Sequence, residues 1–226
     1  MIILDNVTSF AIIRKRKRNI VRAASLAFPS DRRMALLGSS HEAKKILIDV
    51  ITGMVAPTEG RVVRKANISF PVGHSRAFLP NLSARKNIEH LARIYDADVK
   101  NVVEFVEKVA SMGSEFDAPY SELDAIARKR VAQIVAYSID FDLYVLADEI
   151  LPGRANDQDA PYQLFLKRSR AAGMIIPTRN PSFALEFCQS ALVLENGRLL
   201  YFDRVERALE VLSRIGQTPS EEPPAS

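Results

Sequence analysis

The chain has 226 residues, 47% of them hydrophobic and 26% charged, a globular composition long enough to bury a substantial core in one large domain. Its net charge of +4 is a mild surplus that fits a generic basic surface as well as an anionic partner, and no nucleic-acid partner is expected from it. A single cysteine, Cys188, excludes an internal disulfide framework, no apolar run approaches the roughly 20 residues of a spanning helix, and Asp5 comes too early for a signal peptide, which together point to a reducing cytoplasm.

In chain order, residues 2–7 and 20–28 read as two short strands of a hairpin. The basic run Arg14-Lys15-Arg16-Lys17-Arg18 forms the connection between them, a solvated turn or a contact for lipid headgroups or glycan phosphates. Met34-Ala35-Leu36-Leu37 is a short apolar strand ending in Gly38, and residues 43–54 follow with helical apolar spacing at Ile46, Leu47, Val50 and Ile51. Further strands are expected at Gly60-Arg61-Val62-Val63 and at Ile68-Ser69-Phe70-Pro71. Ser83 reads as the cap of a helix carrying Ile88, Leu91, Ala92 and Ile94 on one face, and residues 99–112 repeat the helical spacing, so that a helical subdomain is expected over about 83–137.

Beyond it, Leu143-Tyr144-Val145-Leu146-Ala147, Met174-Ile175-Ile176 and Ala191-Leu192-Val193-Leu194 read as buried strands with helical stretches between them, the pattern of a parallel α/β core. Glu195-Asn196-Gly197-Arg198 is a hairpin signal leading into Leu199-Leu200-Tyr201-Phe202. Cys188 beside Phe187, Ala191 and Leu192 reads as a buried thiol. One domain is expected over 1–215, with a disordered Pro-, Ser- and Glu-rich tail over 216–226.

A nucleotide-binding P-loop uses glycines so that backbone amides can close on phosphate oxygens, a lysine to neutralise them and a Ser or Thr to hold magnesium. Here the strand-to-helix junction reads Gly38-Ser39-Ser40-His41-Glu42-Ala43-Lys44-Lys45-Ile46. The first glycine and Lys44 stand at P-loop spacing. The inner glycines are replaced by His41 and Ala43, Glu42 adds a negative charge, and Lys45 stands where the hydroxyl belongs. Alone, this spacing also fits a plain α/β turn.

The stretch from Leu36 to Val63, with Gly53 and Pro57-Thr58-Glu59-Gly60-Arg61-Val62, resembles the ATP-binding subunits of ABC transporters. More narrowly it resembles those that export capsular and related polysaccharides, through Ile68-Ser69-Phe70-Pro71-Val72-Gly73, Phe78, Leu82-Ser83, Asn87-Ile88 and Leu91-Ala92-Arg93-Ile94-Tyr95. The resemblance covers roughly residues 1–205 and implies a P-loop NTPase-like fold: a mixed sheet core, an antiparallel β-subdomain and an inserted helical subdomain. Ile139-Asp140-Phe141-Asp142-Leu143-Tyr144-Val145-Leu146-Ala147-Asp148-Glu149 is similar to the Walker B strand, which implies a magnesium role for Asp148 and orientation or deprotonation of water by Glu149. Phe10 stands where the family stacks an aromatic on adenine, a position a core Phe would fill equally well.

The signature segment is expected after Pro119, either at Tyr120-Ser121-Glu122-Leu123 or around Asp124-Ala125-Ile126, and neither register contains a glycine. Thr178-Arg179-Asn180 places Arg179 at the switch-histidine position, and no Gln between His74 and Pro80 marks a Q-loop. The implied cofactors are ATP and Mg2+ if nucleotide binding is retained. The implied partners are a membrane-spanning permease and a second ATPase subunit, identical or intact, at the cytoplasmic face of the inner membrane. Three readings follow: a degenerate transporter subunit, a non-catalytic regulatory or interaction module on the same fold, and an active ATPase with an atypical loop.

Overall fold

A computed structural model describes residues 1–13, 16–149 and 159–217. Arg14 and Lys15 of the basic run lie outside the described residues, as do residues 218–226 of the expected tail. Strands β1 (Ile2–Ile13), β2 (Arg16–Phe28) and, after helix α1 (His41–Thr52), β4 (Glu59–Arg64) form an antiparallel sheet of order β2-β1-β4. Both hairpin strands run further than expected. Phe10 pairs opposite Asn19 and Ile12 opposite Lys17, so Arg16, Lys17 and Arg18 belong to the ladder, and the register irregularities between Leu4 and Phe10 hide the alternation that would have announced it.

The second sheet has the order β5-β6-β3-β7-β8, built from β3 (Arg33–Leu37), β5 (Leu143–Val145), β6 (Gly173–Pro177), β7 (Ser190–Glu195) and β8 (Arg198–Phe202). Its first four strands are parallel and β8 returns antiparallel to β7. The β7–β8 turn is the expected hairpin: Asn196 and Gly197 take φ of 50° and 77°, the paired positive values a two-residue turn requires. Residues 68–72 do not make a continuous strand. They form isolated parallel bridges, Ile68 to Leu143 and Val72 to Leu146, because Pro71 brings no N–H and the Val145 amide turns to the Ser69 hydroxyl, 2.9 Å away.

Both faces of the parallel sheet are buried. Met34 and Leu36 with Val145, Ile175 and Leu192 pack toward α1 and the antiparallel sheet, while Ala35 and Leu37 with Tyr144, Met174 and Ile176 pack toward the helices. The period of two in β3 therefore divides its side chains between two apolar cores, which is why the strand reads as an unbroken apolar run. Each fully buried Val, Leu, Ile or Met among them contributes about 1.5–3 kcal/mol relative to exposure. Cys188 is buried as expected, and desolvation pushes its thiol up to about 12.

Helices α2 (Ala84–Ile94), α3 (Val99–Ala110) and α4 (Ala125–Ser138) stack beyond this sheet. Ser83 caps α2 by accepting the Lys86 amide, and the Asn87 carboxamide ties back the approach to the helix through the Leu79 amide and the carbonyls of Leu79, Leu82 and Ser83. Arg85 joins α2 to α3 and the turn beyond it through Glu107 and Asp117. Helices α5 (Ala160–Ala171), α6 (Pro181–Phe187) and α7 (Val205–Gln217) complete the layer. Among the described residues no helix is long and apolar enough to cross a membrane.

Candidate functional site

The carboxyl ends of β3 and β6, the start of α1 and the segment after β5 converge on a cleft of about 190 Å³ lined by His41, Lys44, Glu149, Pro177, Thr178 and Arg179. Ligands of open α/β sheets collect at this end of the strands. Four of the residues singled out from the sequence, His41, Lys44, Glu149 and Arg179, are therefore brought together.

The loop entering α1 is short. Gly38 has φ of 140°, and a Cβ there would stand 2.1 Å from the Leu194 carbonyl oxygen of β7, so a glycine is required by the neighbouring strand whatever binds in the cleft. Ser39 is held by Glu195, its amide donating over 2.9 Å and its hydroxyl over 2.7 Å. Ser40 is the N-cap: its hydroxyl accepts the Ala43 amide at 3.1 Å and its carbonyl accepts the Lys44 amide at 3.1 Å. Helix α1 accordingly begins at His41, two residues earlier than its apolar spacing indicated. His41 and Glu42 face solvent, and Ala43 and Ile46 pack toward the core beneath. Amides of Ser39, Ala43 and Lys44 that a P-loop would offer to phosphate are thus engaged by the chain itself.

Lys44 is buried, with 2% of its surface exposed, and its ammonium donates to the Thr178 carbonyl at 3.4 Å. Desolvation, aided by the charge of Arg179, lowers its pKa, against the opposing pull of Glu149 and Glu195. Burial would raise the pKa of Glu149. Hydrogen bonds from the Thr178 hydroxyl and the Arg179 amide, both 2.6 Å, together with the charge of Lys44, outweigh that and hold the carboxyl below its ordinary range. Arg179 thus reaches Glu149 through its main chain.

The architecture has solved counterparts. A dimeric ATP-binding cassette in a post-hydrolysis state bound to ADP and phosphate superposes with a TM-score of 0.67 at 18% identity, over 91% of this chain and 99% of that one. The ATP-binding subunit of an ABC transporter gives 0.65 at 15%, over 98% and 97%. The chain has the ABC ATPase fold. In sequence the chain is similar to the capsule polysaccharide export ATP-binding protein CtrD of Neisseria meningitidis, 28% identical over 95% of this chain and 100% of the relative. It is also similar to the polysialic acid transport ATP-binding protein KpsT of Escherichia coli, 26% identical over 93% and 95%, and to the ATP-binding protein BexA of Haemophilus influenzae, 26% over 93% and 97%. No family model matches the chain.

Phe10 and Ser121, also expected at the site, do not line the cleft. Phe10 is 38% exposed on β1 in the antiparallel sheet. Ser121 sits in a 3-10 turn with its amide on the Pro80 carbonyl, while α4 starts at Ala125 under an Asp124 cap whose carboxylate accepts the Ala127 amide at 2.7 Å. Of the two signature registers, only the second lies at a helix N-terminus, where an anion could meet free amides, and Asp124 already fills that end.

Asp148 is faced by two ammonium groups, Lys45 at 4.0 Å from α1 and Lys129 at 3.5 Å from α4. Mg2+ takes six oxygen ligands at about 2.1 Å in near-octahedral array. An ammonium has no lone pair to give, so the donor set of Lys45, Lys129 and Asp148 does not fit that ion. Lys129, Thr178 and Glu195 were not assigned site roles from the sequence. Each acts across a large sequence separation, and only the Thr-Arg-Asn segment after β6 carried a local signal.

Proposed function

We propose that this chain is the nucleotide-binding subunit of an ABC-type exporter of capsular or related polysaccharide, with weakened ATP affinity and impaired hydrolysis. The observation that carries the weakening is the closed mouth of α1. Ser40 caps the helix, Glu195 holds Ser39, and the Lys44 ammonium turns inward to Thr178. Each charge-assisted hydrogen bond to phosphate is worth about 1.5–3 kcal/mol, so losing two costs about 3–6 kcal/mol, or roughly 10²–10⁴ in affinity. The export role is supported by the relatives, whose names place them in capsule export and polysialic acid transport, aligned over nearly the whole chain. The helical layer α2–α4 is the surface for a membrane-spanning permease, and the chain pairs with itself or with an intact ATPase subunit, peripherally at the cytoplasmic face of the inner membrane.

Glu149 favours a second reading, an active ATPase with an atypical loop, because it is an ionised carboxylate held in the same cleft as Lys44. Titration of a fluorescent ATP analogue and phosphate release by wild type and Glu149→Gln distinguish the two. The degenerate reading expects binding only near millimolar nucleotide and no turnover sensitive to Glu149→Gln. Micromolar saturation with turnover lost in that variant would establish the active ATPase instead. Failure of millimolar ATP to bind at all would leave a regulatory module on the same fold.

A further inference from the structure

Beside the cleft, the cations that face Asp148 are side chains. We propose that the Lys45 ammonium, with Lys129 opposite it, takes the role of the divalent ion beside Asp148, so that polyphosphate binding here is independent of magnesium. The inference rests on the reading that the cleft takes nucleotide, and it follows from how charge is distributed around the carboxylate.

Lys45 follows Lys44 directly in α1, at the position where the fold's metal site needs a hydroxyl, and its ammonium lies 4.0 Å from Asp148. Lys129 approaches the same carboxylate from α4 at 3.5 Å. The trio carries a net positive charge, whereas a site built for a divalent ion offers net negative charge or neutral oxygens. No nearby carboxylate corrects the balance among the described residues lining the adjoining small cavity of Lys45, Ile48, Asp49, Pro71, His74 and Arg76. Asp49 is already paired with Arg76 at 2.5 Å. His74 is a neighbour of the same cluster, its pKa lowered by burial and by Arg76.

The two lysine pairs are solvent-accessible, with side chains 43% and 49% exposed, so each is weak and free to rearrange. Their weight lies in the charge they leave behind. An incoming metal-nucleotide complex meets two ammonium groups at the metal's place, while a metal-free polyphosphate meets the same groups as counter-ions, together with Arg179 from the cleft. Lysine serves phosphate as a point charge that needs no fixed geometry, which suits side chains this exposed.

The test is the affinity of a fluorescent ATP analogue in excess EDTA and in millimolar magnesium, for wild type and for Lys45→Thr combined with Lys129→Met. Expected are wild-type affinities within about twofold of each other, and binding by the double variant about tenfold tighter with magnesium than without. Bound Mn2+ in the variant's nucleotide complex, read by electron paramagnetic resonance, is the second readout. Wild-type binding tightened about tenfold or more by magnesium overturns the inference and leaves the nucleotide reading standing. Absence of wild-type binding under both conditions overturns the nucleotide reading and with it the inference, whereas binding tightened by magnesium overturns the inference alone.

Discussion

Lys44 is a buried cation at the candidate cleft, and replacing it measures what that burial costs the fold. The side chain is 2% exposed and its ammonium has one long hydrogen bond, 3.4 Å to the Thr178 carbonyl. Desolvation lowers its pKa despite Glu149 and Glu195, so the charged form is a net burden on the folded chain. Lys44→Met keeps the unbranched shape while removing the charge, and the expected gain is about 1–3 kcal/mol in folding stability. At about 2–4 °C per kcal/mol for a chain of this size, a gain of about 2 kcal/mol raises Tm by about 4–8 °C. The penalty is complete below the lowered pKa of Lys44 and is relieved as pH rises from there toward the ordinary 10.5, so the advantage of the variant shrinks in alkali. Urea denaturation from neutral to alkaline pH tests this. The reasoning is refuted if Lys44→Met is destabilised at neutral pH.

Thr178→Val removes the hydroxyl that donates to Glu149 over 2.6 Å and accepts the Asn180 amide at 3.0 Å, at an expected cost of about 1.5–3 kcal/mol in denaturant titrations near neutral pH. The stability that Glu149 supplies through its lowered pKa is present above the ordinary 4.5 and lost as pH falls through the lowered value, and the variant narrows that window in acid denaturation. Gly38→Ala places a Cβ 2.1 Å from the Leu194 oxygen in a backbone region disfavoured for alanine, and a loss of about 3 kcal/mol or more is expected in the same titration. Arg33→Lys gives up the fork that donates to the Phe187 carbonyl at 2.7 Å and the Ser169 carbonyl at 3.2 Å and stacks 5.2 Å over the Phe187 ring. A fall of about 1–3 kcal/mol is expected, with α6 losing amide protection first in hydrogen exchange.

Elements announced by local chemistry were legible in the sequence. Ser83 caps α2 as its position before the Ile88-Leu91-Ala92 stripe indicated, and Asn196-Gly197 makes the hairpin turn. The parallel core was legible because strands buried on both faces become continuous apolar runs. The long first hairpin was not, since Arg16 to Arg18 offer no apolar alternation while still pairing through their backbones with Ile13, Ile12 and Ala11. At the site, the composition of the loop was visible but its conformation was not. Whether Ser40 ends a phosphate loop or caps a helix depends on whether its hydroxyl takes the Ala43 amide, a choice between two local hydrogen bonds. The roles of Glu195 and Lys129 come only from folding, which sets a residue of β7 on Ser39 and a residue of α4 on Asp148.

The turn between β7 and β8 is one of the polar ties between the parallel and antiparallel sheets, beside the Arg64 guanidinium of β4, which donates to the Val50 and Ile51 carbonyls of α1 at 2.7 Å each. On one side Glu195 grips Ser39 by amide and hydroxyl; on the other, the Gly197 carbonyl accepts the Arg22 amide of β2 at 2.8 Å. This corner of three residues therefore links the mouth of the cleft to the antiparallel sheet, so a displacement of β2 at Arg22 is passed through the Gly197 carbonyl and the Glu195 carboxylate to Ser39 at the entrance to α1.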